Sequence, residues 1–184
     1  LVSPVTFYRP GPLAITVADA RAMVAAADRA GVVLMSGHTF EYNPAVLRLR
    51  DYMAAGLLGD IHYVDSARLN LGLYQRDVNV LWDLAPHDVS ICNFLLGERP
   101  TRVSAWGSAH VNELVEDVAS LRLDYDTIGV TATLRVSWLA PIKVRQVTVV
   151  GSEKMAVYDD LDENERLKIY DRSVRVGGIG SVHP

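Results

Sequence analysis

The chain has 184 residues, of which 49% are apolar and 22% are charged, as in an ordinary folded globular protein and unlike a disordered one. Its formal net charge is −4 and no basic run occurs, which argues against a nucleic-acid partner. No apolar stretch reaches the roughly 18 residues that a membrane helix needs, and no signal-peptide pattern is present. We therefore expect a cytoplasmic protein with neither a nucleic-acid nor a membrane partner.

The chain holds a single cysteine, Cys92. One cysteine can form neither an internal disulfide framework nor a cysteine-based zinc site. Because Cys92 lies in an apolar stretch with helical spacing, the pattern favours a buried structural thiol.

The N-terminal part of the chain predicts one helix and one strand. Thr16 followed by Asp19 is typical of a helix N-cap with an acidic residue in the first turn, and Gly31 is typical of a helix end. Residues 32–35 then form a short apolar run that predicts a buried strand. A helix, a glycine and an apolar strand make the closing half of a βαβ unit, and we expect its opening strand to be missing. The chain begins at Leu1 and not at Met, so we expect the native start to lie upstream.

Two further helices are predicted before residue 100. Asn43 and Pro44 indicate the start of the first, which ends at Gly56. Pro86 is predicted to open the second, over residues 87–96, because proline is favoured at the first helical position. That helix is apolar on nearly every side and is therefore expected to be buried.

Alternating and apolar segments predict a set of strands. Residues 61–71 alternate as a half-buried strand does, and residues 130–138 alternate most clearly of all. Residues 126–129 are typical of a hairpin turn. Further strands are expected at residues 101–110, 119–125, 143–150, 155–158 and 166–170. Helices followed by consecutive strands predict an α+β fold, with a largely antiparallel sheet covered by helices on one face.

The segment from Trp82 to Asp88 carries the densest chemistry, and Asp83 and His87 are its candidate residues. A carboxylate four residues before an imidazole, at the entrance of a helix, could orient that imidazole and adjust its pKa for proton transfer near neutral pH. The same spacing also fits a second interpretation, in which Asp83 caps the helix and His87 packs at its start.

Two other polar clusters are candidates for ligand binding. His38, Glu41, Tyr42 and Asn43 follow a buried strand, where ligands bind in open α/β sheets. A metal site is not expected there, because no third ligand lies at a suitable spacing. An orienting role toward a hydroxylated ligand and a helix cap at Asn43 both remain possible interpretations.

The other cluster follows the strand at residues 61–71 and contains Arg68, Asn70, Arg76, Asp77 and Asn79. These side chains could form a donor-rich wall for sugar hydroxyls, a carboxylate or a phosphate. They could equally form a solvated edge with turn-forming residues.

Two glycine-containing segments do not fit a phosphate site. Residues 9–12 (RPGP) lack a free backbone N–H at two positions. Residues 177–180 (GGIG) follow a predicted strand, but no helix comes after them, whereas the dinucleotide fingerprint needs a strand, a glycine loop and a helix together.

Several short segments spread along the whole chain resemble segments of one protein family. They include PLAIT at residues 12–16, VLMSGH at 33–38, RLNLG at 68–72, DLAPH at 83–87 and VVGSEK at 149–154. Together they resemble the Gfo/Idh/MocA family, the glucose–fructose oxidoreductase and inositol dehydrogenase group of NAD(P)-dependent enzymes. DLAPH is similar to the family's Asp-x-Gly-x-His motif, with Ala85 in place of the glycine. The motifs are specific for the family but not for a substrate.

The resemblance implies an oxidoreductase that transfers hydride between NAD or NADP and a secondary hydroxyl of a sugar or nucleotide sugar. His87 would act as acid and base and Asp83 would support it. The implied substrate-binding residues are His38, Tyr42, Asn43, Arg68, Asn70 and Asn79, and the implied cofactor-binding residues are Pro12 and His38; no metal is implied.

The resemblance also implies a division of the chain. Residues 1–37 would be the last helix and strand of a truncated Rossmann-like nucleotide-binding domain, and residues 38–184 an α+β substrate and oligomerisation domain. The open face of the large sheet would build a homodimer or homotetramer.

The chain departs from the family at two places. Gly11 stands where the signature Glu-Lys-Pro has its lysine, and the glycine-rich fingerprint is not among the residues. We therefore expect this chain to be inactive alone. An alternative is a non-catalytic module that retains the substrate-domain fold and acts in sugar binding or oligomerisation.

Overall fold

Backbone pairing divides the strands into a small parallel sheet and a large mixed one. The computed structural model describes residues 12–72, 75 and 78–171, together with the backbone of residues 6–10. Gly11, Arg76, Asp77 and the glycine-rich segment at 177–180 thus lie outside the described residues.

The small sheet belongs to a complete βαβ unit. Strand β1 (Thr6–Pro10) pairs in parallel with β2 (Val33–Gly37), and helix α1 (Val17–Ala30) connects them. The expectation that the opening strand is missing is therefore wrong. Five residues beside a proline-rich segment give a weak strand signal, and the parallel partner lies more than twenty residues away in sequence.

The boundaries of α1 are the predicted ones. The hydroxyl of Thr16 accepts a 3.1 Å hydrogen bond from the backbone N–H of Asp19. Gly31 ends the helix with φ 63°, a conformation that favours glycine. No residue of α1 is buried, and Val17 is 65% exposed. The apolar side of this helix therefore lies open to solvent.

Helix α2 (Pro44–Ala54) follows a short 3₁₀ helix, Thr39–Tyr42. The side chain of Asn43 caps α2 by accepting a 2.9 Å hydrogen bond from the N–H of Ala45. Val46 and Leu49 are completely buried against the large sheet and the next helix.

The large sheet has seven strands in the order β4-β5-β6-β3-β7-β8-β9. Their bounds are β3 Ile61–Leu71, β4 Arg102–Ser108, β5 Val118–Tyr125, β6 Val130–Ser137, β7 Leu139–Gly151, β8 Met155–Asp159 and β9 Leu167–Tyr170. All neighbouring pairs are antiparallel except β3 and β6, which are parallel. The predicted α+β class with a largely antiparallel sheet is confirmed.

Helix α3 (Val80–Leu96) begins earlier than predicted. Asn79 is its N-cap and accepts a 3.2 Å hydrogen bond from the N–H of Trp82, so Pro86 lies inside the helix and does not open it. An interior proline costs about 3 kcal/mol because it removes one hydrogen bond. Val80 and Ala85 are buried in one cluster with the strands, and this packing offsets that cost.

Helices α2 and α3 cover one face of the large sheet. On β6, Ala132, Leu134 and Val136 point to the helices and are buried, whereas Thr133 and Arg135 are exposed on the open face. This alternation is the predicted one. No helix in the described part of the chain is long and apolar enough to cross a bilayer.

Strand β3 buries an unexpectedly polar face. Its residues paired with the buried positions of β6 include Ser66 and Arg68, which are 1% and 5% exposed. Tyr63 lies on the opposite face and is 48% exposed. A buried arginine needs a partner, and its partner defines the candidate site.

Candidate active site

A cavity of about 340 Å³ lies between α3 and the large sheet. Its wall contains four of the residues singled out from the sequence, Arg68, Asn70, Asp83 and His87. It is completed by Phe40, Leu69, Leu84 and Arg145. Residues from the 3₁₀ helix after β2, from β3, from α3 and from β7 thus meet at one place.

Asp83 and His87 reach this cavity from the same face of α3. The helix begins at Val80, so both residues lie within it and are separated by about one turn. The N-cap is Asn79, so the interpretation in which Asp83 caps the helix and His87 packs at its start is wrong.

The imidazole of His87 lies in a largely buried setting. The ring of Phe40 meets it edge to face with centroids 5.4 Å apart. Burial, and next the positive charge of Arg68, lower the pKa of His87 from its ordinary value, with Asp88 acting in the opposite direction. His87 is therefore a neutral imidazole near neutral pH, which can accept a proton.

A hydrogen bond from a residue of the large sheet region fixes the carboxylate of Asp83. The indole Nε1 of Trp138 donates a 2.9 Å hydrogen bond to its Oδ2. Trp138 follows β6 and is fully buried. Asp83 and His87 face the same cavity without a direct hydrogen bond between them among the described residues, and the orienting role of Asp83 stays a prediction.

Arg68 is locked into a buried ion pair with Asp88. The guanidinium Nε and Nη2 of Arg68 donate to the two carboxylate oxygens of Asp88 over 2.8 and 3.0 Å. The guanidinium carbon of Arg68 lies 4.5 Å from the ring centroid of Phe40. Sequence reasoning included Asp88 in the densest segment but gave it no role. A charged residue in an otherwise apolar helix was the signal that could have found it.

Three buried polar atoms around this region have no hydrogen-bond partner in the described structure. They are Nδ1 of His38, Oδ1 of Asn70 and Nδ1 of His87. Buried polar atoms are paired in most proteins, so these three atoms are exceptions concentrated in one region of the fold.

Arg145 was also missed, because it belongs to a distant strand, β7. Its Nη1 lies 3.2 Å from Oδ2 of Asp160, and the hydroxyl of Tyr158 donates to the other oxygen of Asp160 over 3.0 Å. The amide of Asn43 in turn donates to the Tyr158 hydroxyl over 3.1 Å. Asn43 therefore lies behind the cavity and supports its wall.

Burial, and next the negative charge of Asp160, raise the pKa of the Tyr158 hydroxyl well above its ordinary value. Tyr158 therefore keeps its proton and remains a hydrogen-bond donor to Asp160.

A second cleft of about 390 Å³ lies beside the N-terminal unit. It is lined by Pro12 and His38, both singled out as cofactor-binding residues, and by Ser36, Trp82 and Pro86 among others. His38 is close enough to His87 to influence its pKa, so the cleft adjoins the cavity.

The lining of the second cleft is mostly apolar, and Nδ1 of His38 beside it has no hydrogen-bond partner in the described structure. An apolar lining with few polar groups is typical of a site for a small molecule or cofactor. The described residues provide no glycine-rich strand–loop–helix segment to hold the phosphates.

Three of the predicted substrate-binding residues, Tyr42, Asn43 and Asn79, line neither the cavity nor the second cleft. Tyr42 is 66% exposed. The side chain of Asn79 caps α3, and its amide donates to Glu116 over 2.9 Å. Within the described ranges, no group of three His, Cys, Asp or Glu side chains could hold a metal ion.

Comparison with known proteins gives consistent matches. The model of the GFO/IDH/MocA C-terminal domain matches residues 46–157. D-apiose dehydrogenase of Paraburkholderia graminis is 30% identical over 177 residues, which are 88% of this chain and 45% of that protein. UDP-N-acetylglucosamine 3-dehydrogenase of Acidithiobacillus ferrooxidans is 30% identical over 173 residues, 93% of this chain and 53% of that protein.

Among solved structures, that of GenD2 from gentamicin A biosynthesis in complex with NAD superposes with a TM-score of 0.75. The two sequences are 28% identical, and the match covers 83% of this chain and 47% of GenD2. The chain spans about half the length of the curated relatives it matches.

Proposed function

Because the chain belongs to the Gfo/Idh/MocA family, we propose that it forms the substrate-binding half of an NAD(P)-dependent dehydrogenase. The substrate would be a sugar or nucleotide sugar with a secondary hydroxyl. The names of the two relatives support this class. The observation that carries the proposal is the placement of His87 in one cavity with Asp83, Arg68 and Asn70. Burial, which lowers the pKa of His87, suits it to act as the base there.

In this proposal His87 takes the proton from the substrate hydroxyl while the hydride leaves the same carbon. Its Nδ1 is sealed from solvent, which leaves Nε2 to exchange the proton with the substrate. Asp83, held by Trp138, would accept from the substrate or a bridging water and keep the hydroxyl aimed at His87. Arg68 and Asn70 would bind the neighbouring hydroxyls.

The cofactor would be NAD or NADP, which supplies the hydride acceptor when bound. Pro12 and His38 would hold its nicotinamide end, because they line the cleft next to the cavity. The complex of GenD2 with NAD supports this choice of cofactor.

The domain division and the assembly are part of the same proposal. Residues 1–37 would belong to the cofactor domain, and residues 38–184 to the substrate domain. Subunits would associate through the open face of the large sheet into a dimer or tetramer, which the exposure of Trp106 (61%) and Tyr63 (48%) on that face supports. A cytoplasmic location is consistent with the free, buried thiol of Cys92.

A non-catalytic sugar-binding or oligomerisation module is the second candidate. It is favoured by Gly11, which stands at the position of the family's lysine. A lost cation at a hydride-transfer centre can cost several kcal/mol of transition-state stabilisation.

Substitution of His87 separates the two candidates in the full-length protein that carries this chain. In the dehydrogenase, His87→Ala should lower kcat about 10²- to 10⁴-fold, the range for loss of a general base, without changing NAD(P) binding. His62→Ala is the matched control, because His62 is exposed on β3 outside the cavity. Near-normal turnover in His87→Ala would remove His87 from the mechanism, and a wild-type protein without NAD(P) binding would favour the module.

A further inference from the structure

We propose that Glu41 is a positioning residue for His87. Its hydrogen bond with Ser90 holds the 3₁₀ helix Thr39–Tyr42 against the face of α3 that carries the imidazole. Glu41 belongs to the polar cluster after β2 but lines neither the cavity nor the second cleft, so the mechanism described above gives it no role. The inference rests on the proposed function, because it assigns a further residue to the same site.

Glu41 joins the 3₁₀ helix to α3. The hydroxyl of Ser90 donates a hydrogen bond to Oε1 of Glu41, and Ser90 is only 7% exposed. Ser90 follows His87 by three residues within α3, and residues three apart lie on the same face of a helix. The carboxylate of Glu41 is therefore bound about one turn from the imidazole, on the same side of α3.

The 3₁₀ helix also brings an aromatic ring to the imidazole. Phe40 directly precedes Glu41, and its ring meets that of His87 edge to face with the centroids 5.4 Å apart. The guanidinium carbon of Arg68 lies 4.5 Å from the centroid of the same ring. Phe40 thus contacts both the candidate acid and base and Arg68, whose charge is second to burial in lowering the pKa of His87.

The same short element carries His38 to the second cleft. His38 directly precedes the 3₁₀ helix, and its carbonyl oxygen accepts a 3.1 Å hydrogen bond from the N–H of Glu41. Its side chain lines the second cleft. Because His38, Phe40 and Glu41 belong to one hydrogen-bonded turn, a bond that fixes Glu41 also restrains its two neighbours.

The 3₁₀ helix needs such a bond to keep its place. A 3₁₀ helix of four residues has few hydrogen bonds, and their geometry is poorer than in an α-helix. Its C-terminal end is tied to α2, because the N–H of the N-cap residue Asn43 donates to the carbonyl of Phe40 over 3.0 Å. Among the described residues, Glu41 supplies the side-chain hydrogen bond from this helix to α3. A carboxylate makes that bond stronger than a neutral acceptor would.

Loss of the bond between Glu41 and Ser90 should uncover His87. Burial is the largest cause of the lowered pKa of His87, and Phe40 is part of the wall that buries it. If the 3₁₀ helix moves away, water reaches the imidazole and the pKa of His87 should rise toward its ordinary value. The charged and titratable groups that face His87 are Arg68 on β3, Asp83 and Asp88 on α3, Arg145 on β7, and His38.

The test measures the pKa of His87 by NMR of the histidine rings in the full-length protein that carries this chain, without NAD(P). His87→Gln assigns the signal. Glu41→Ala and Ser90→Ala should each raise the pKa of His87, and the double variant should raise it no further, because both changes remove the same bond. Glu41→Gln keeps an oxygen that accepts from Ser90 and should stay close to the wild type.

Glu116→Ala is the matched control. Glu116 also bonds to α3, because its carboxylate accepts a 2.9 Å hydrogen bond from the amide of the N-cap residue Asn79. Glu116 does not line the cavity, so this variant should leave the pKa of His87 unchanged. The proposal would be overturned by an unchanged pKa of His87 in Glu41→Ala, or by an equal rise in Glu116→Ala. An equal rise in Glu41→Gln would also overturn it, because the charge of Glu41 and not its bond would then act on His87.

Turnover gives a second readout. Glu41→Ala should lower kcat about 10- to 100-fold, the effect of a displaced catalytic group. It should also move the acid limb of the pH profile of kcat/KM to higher pH, because His87 must be unprotonated to accept a proton. The expected NMR changes in a protein without dehydrogenase activity would reject the proposed function and leave the positioning role standing. An active Glu41→Ala enzyme with the wild-type pH profile would reject the positioning role alone.

Discussion

The indole Nε1 of Trp138 donates a 2.9 Å hydrogen bond to Oδ2 of Asp83. Trp138 is completely buried next to the sheet, and Asp83 lies in the cavity wall on α3. This bond ties the helix that carries His87 to the centre of the large sheet, so the position of the candidate acid and base depends on the core.

We expect Trp138→Phe to weaken both the fold and the site. The free energy of unfolding should fall by about 1–3 kcal/mol, because the carboxylate of Asp83 loses its donor in a half-buried setting. Urea unfolding followed by circular dichroism measures this change. Trp106→Phe is the matched control, since Trp106 is exposed on the open face, and it should stay within about 0.5 kcal/mol of the wild type. Equal losses in both variants would contradict the role of the indole N–H.

The lowered pKa of His87 should be visible in the pH dependence of the free energy of unfolding. Its pKa is lowered in the folded protein, so the unfolded chain binds this proton first as the pH falls through about 6.5. The contribution of His87 to stability is therefore present above that pH and is lost as the pH falls toward the folded pKa. The groups that face His87 are Arg68, Asp88, His38 and Asp83.

The measurement compares the wild type with His87→Gln in urea between about pH 7.5 and 5.5, a window around the ordinary histidine pKa. The stability of the wild type relative to the variant should decrease as the pH falls. A difference that is constant or increases toward acid pH would show that the pKa of His87 is not lowered.

Breaking the buried pair of Arg68 and Asp88 should lower the free energy of unfolding strongly. Replacing both residues with apolar ones should lower it much less. Asp88→Asn should lower the free energy of unfolding by about 3–5 kcal/mol, because it leaves a buried charge without a partner. The double variant Arg68→Met with Asp88→Leu should recover most of this loss and abolish sugar binding. Calorimetric unfolding distinguishes the variants, and a double variant as unstable as the single one would contradict the argument.

Gly151 should tolerate no side chain. A Cβ at this position would overlap the carbonyl oxygen of Leu58, which belongs to the backbone and cannot move without displacing the chain. We expect Gly151→Ala to cost about 3 kcal/mol or more, in the upper range for overpacking. Gly129 is the control, since it has φ 67° and open space around it, and Gly129→Ala should cost about 1–2 kcal/mol. Urea unfolding of both variants should preserve this order.

Local patterns were sufficient for much of the fold. The cap at Thr16, the glycine end at Gly31, the Asn43–Pro44 start and the alternating strand β6 all depend on interactions within a few residues of each other. Because such interactions depend only on the types of neighbouring residues, the sequence alone predicts them.

The start of α3 and the strand β1 were predicted wrongly for opposite reasons. Pro86 is a strong local signal, but the burial of Val80 and Ala85 outweighs it. Strand β1 has a weak local signal, and its pairing with β2 brings together residues that a whole helix separates.

For the site, the sequence by itself indicated that Asp83 and His87 lie close together near the start of a helix, because they are four residues apart. Only the structure placed both residues inside α3, on the same helix face. Only the tertiary structure decided which partners they have. Asp88 with Arg68, Trp138 with Asp83, and Arg145 with Asp160 join elements far apart along the chain. The electrostatics of the cavity follow from these long-range pairs, because charge compensation depends on distance in space and not on distance in sequence.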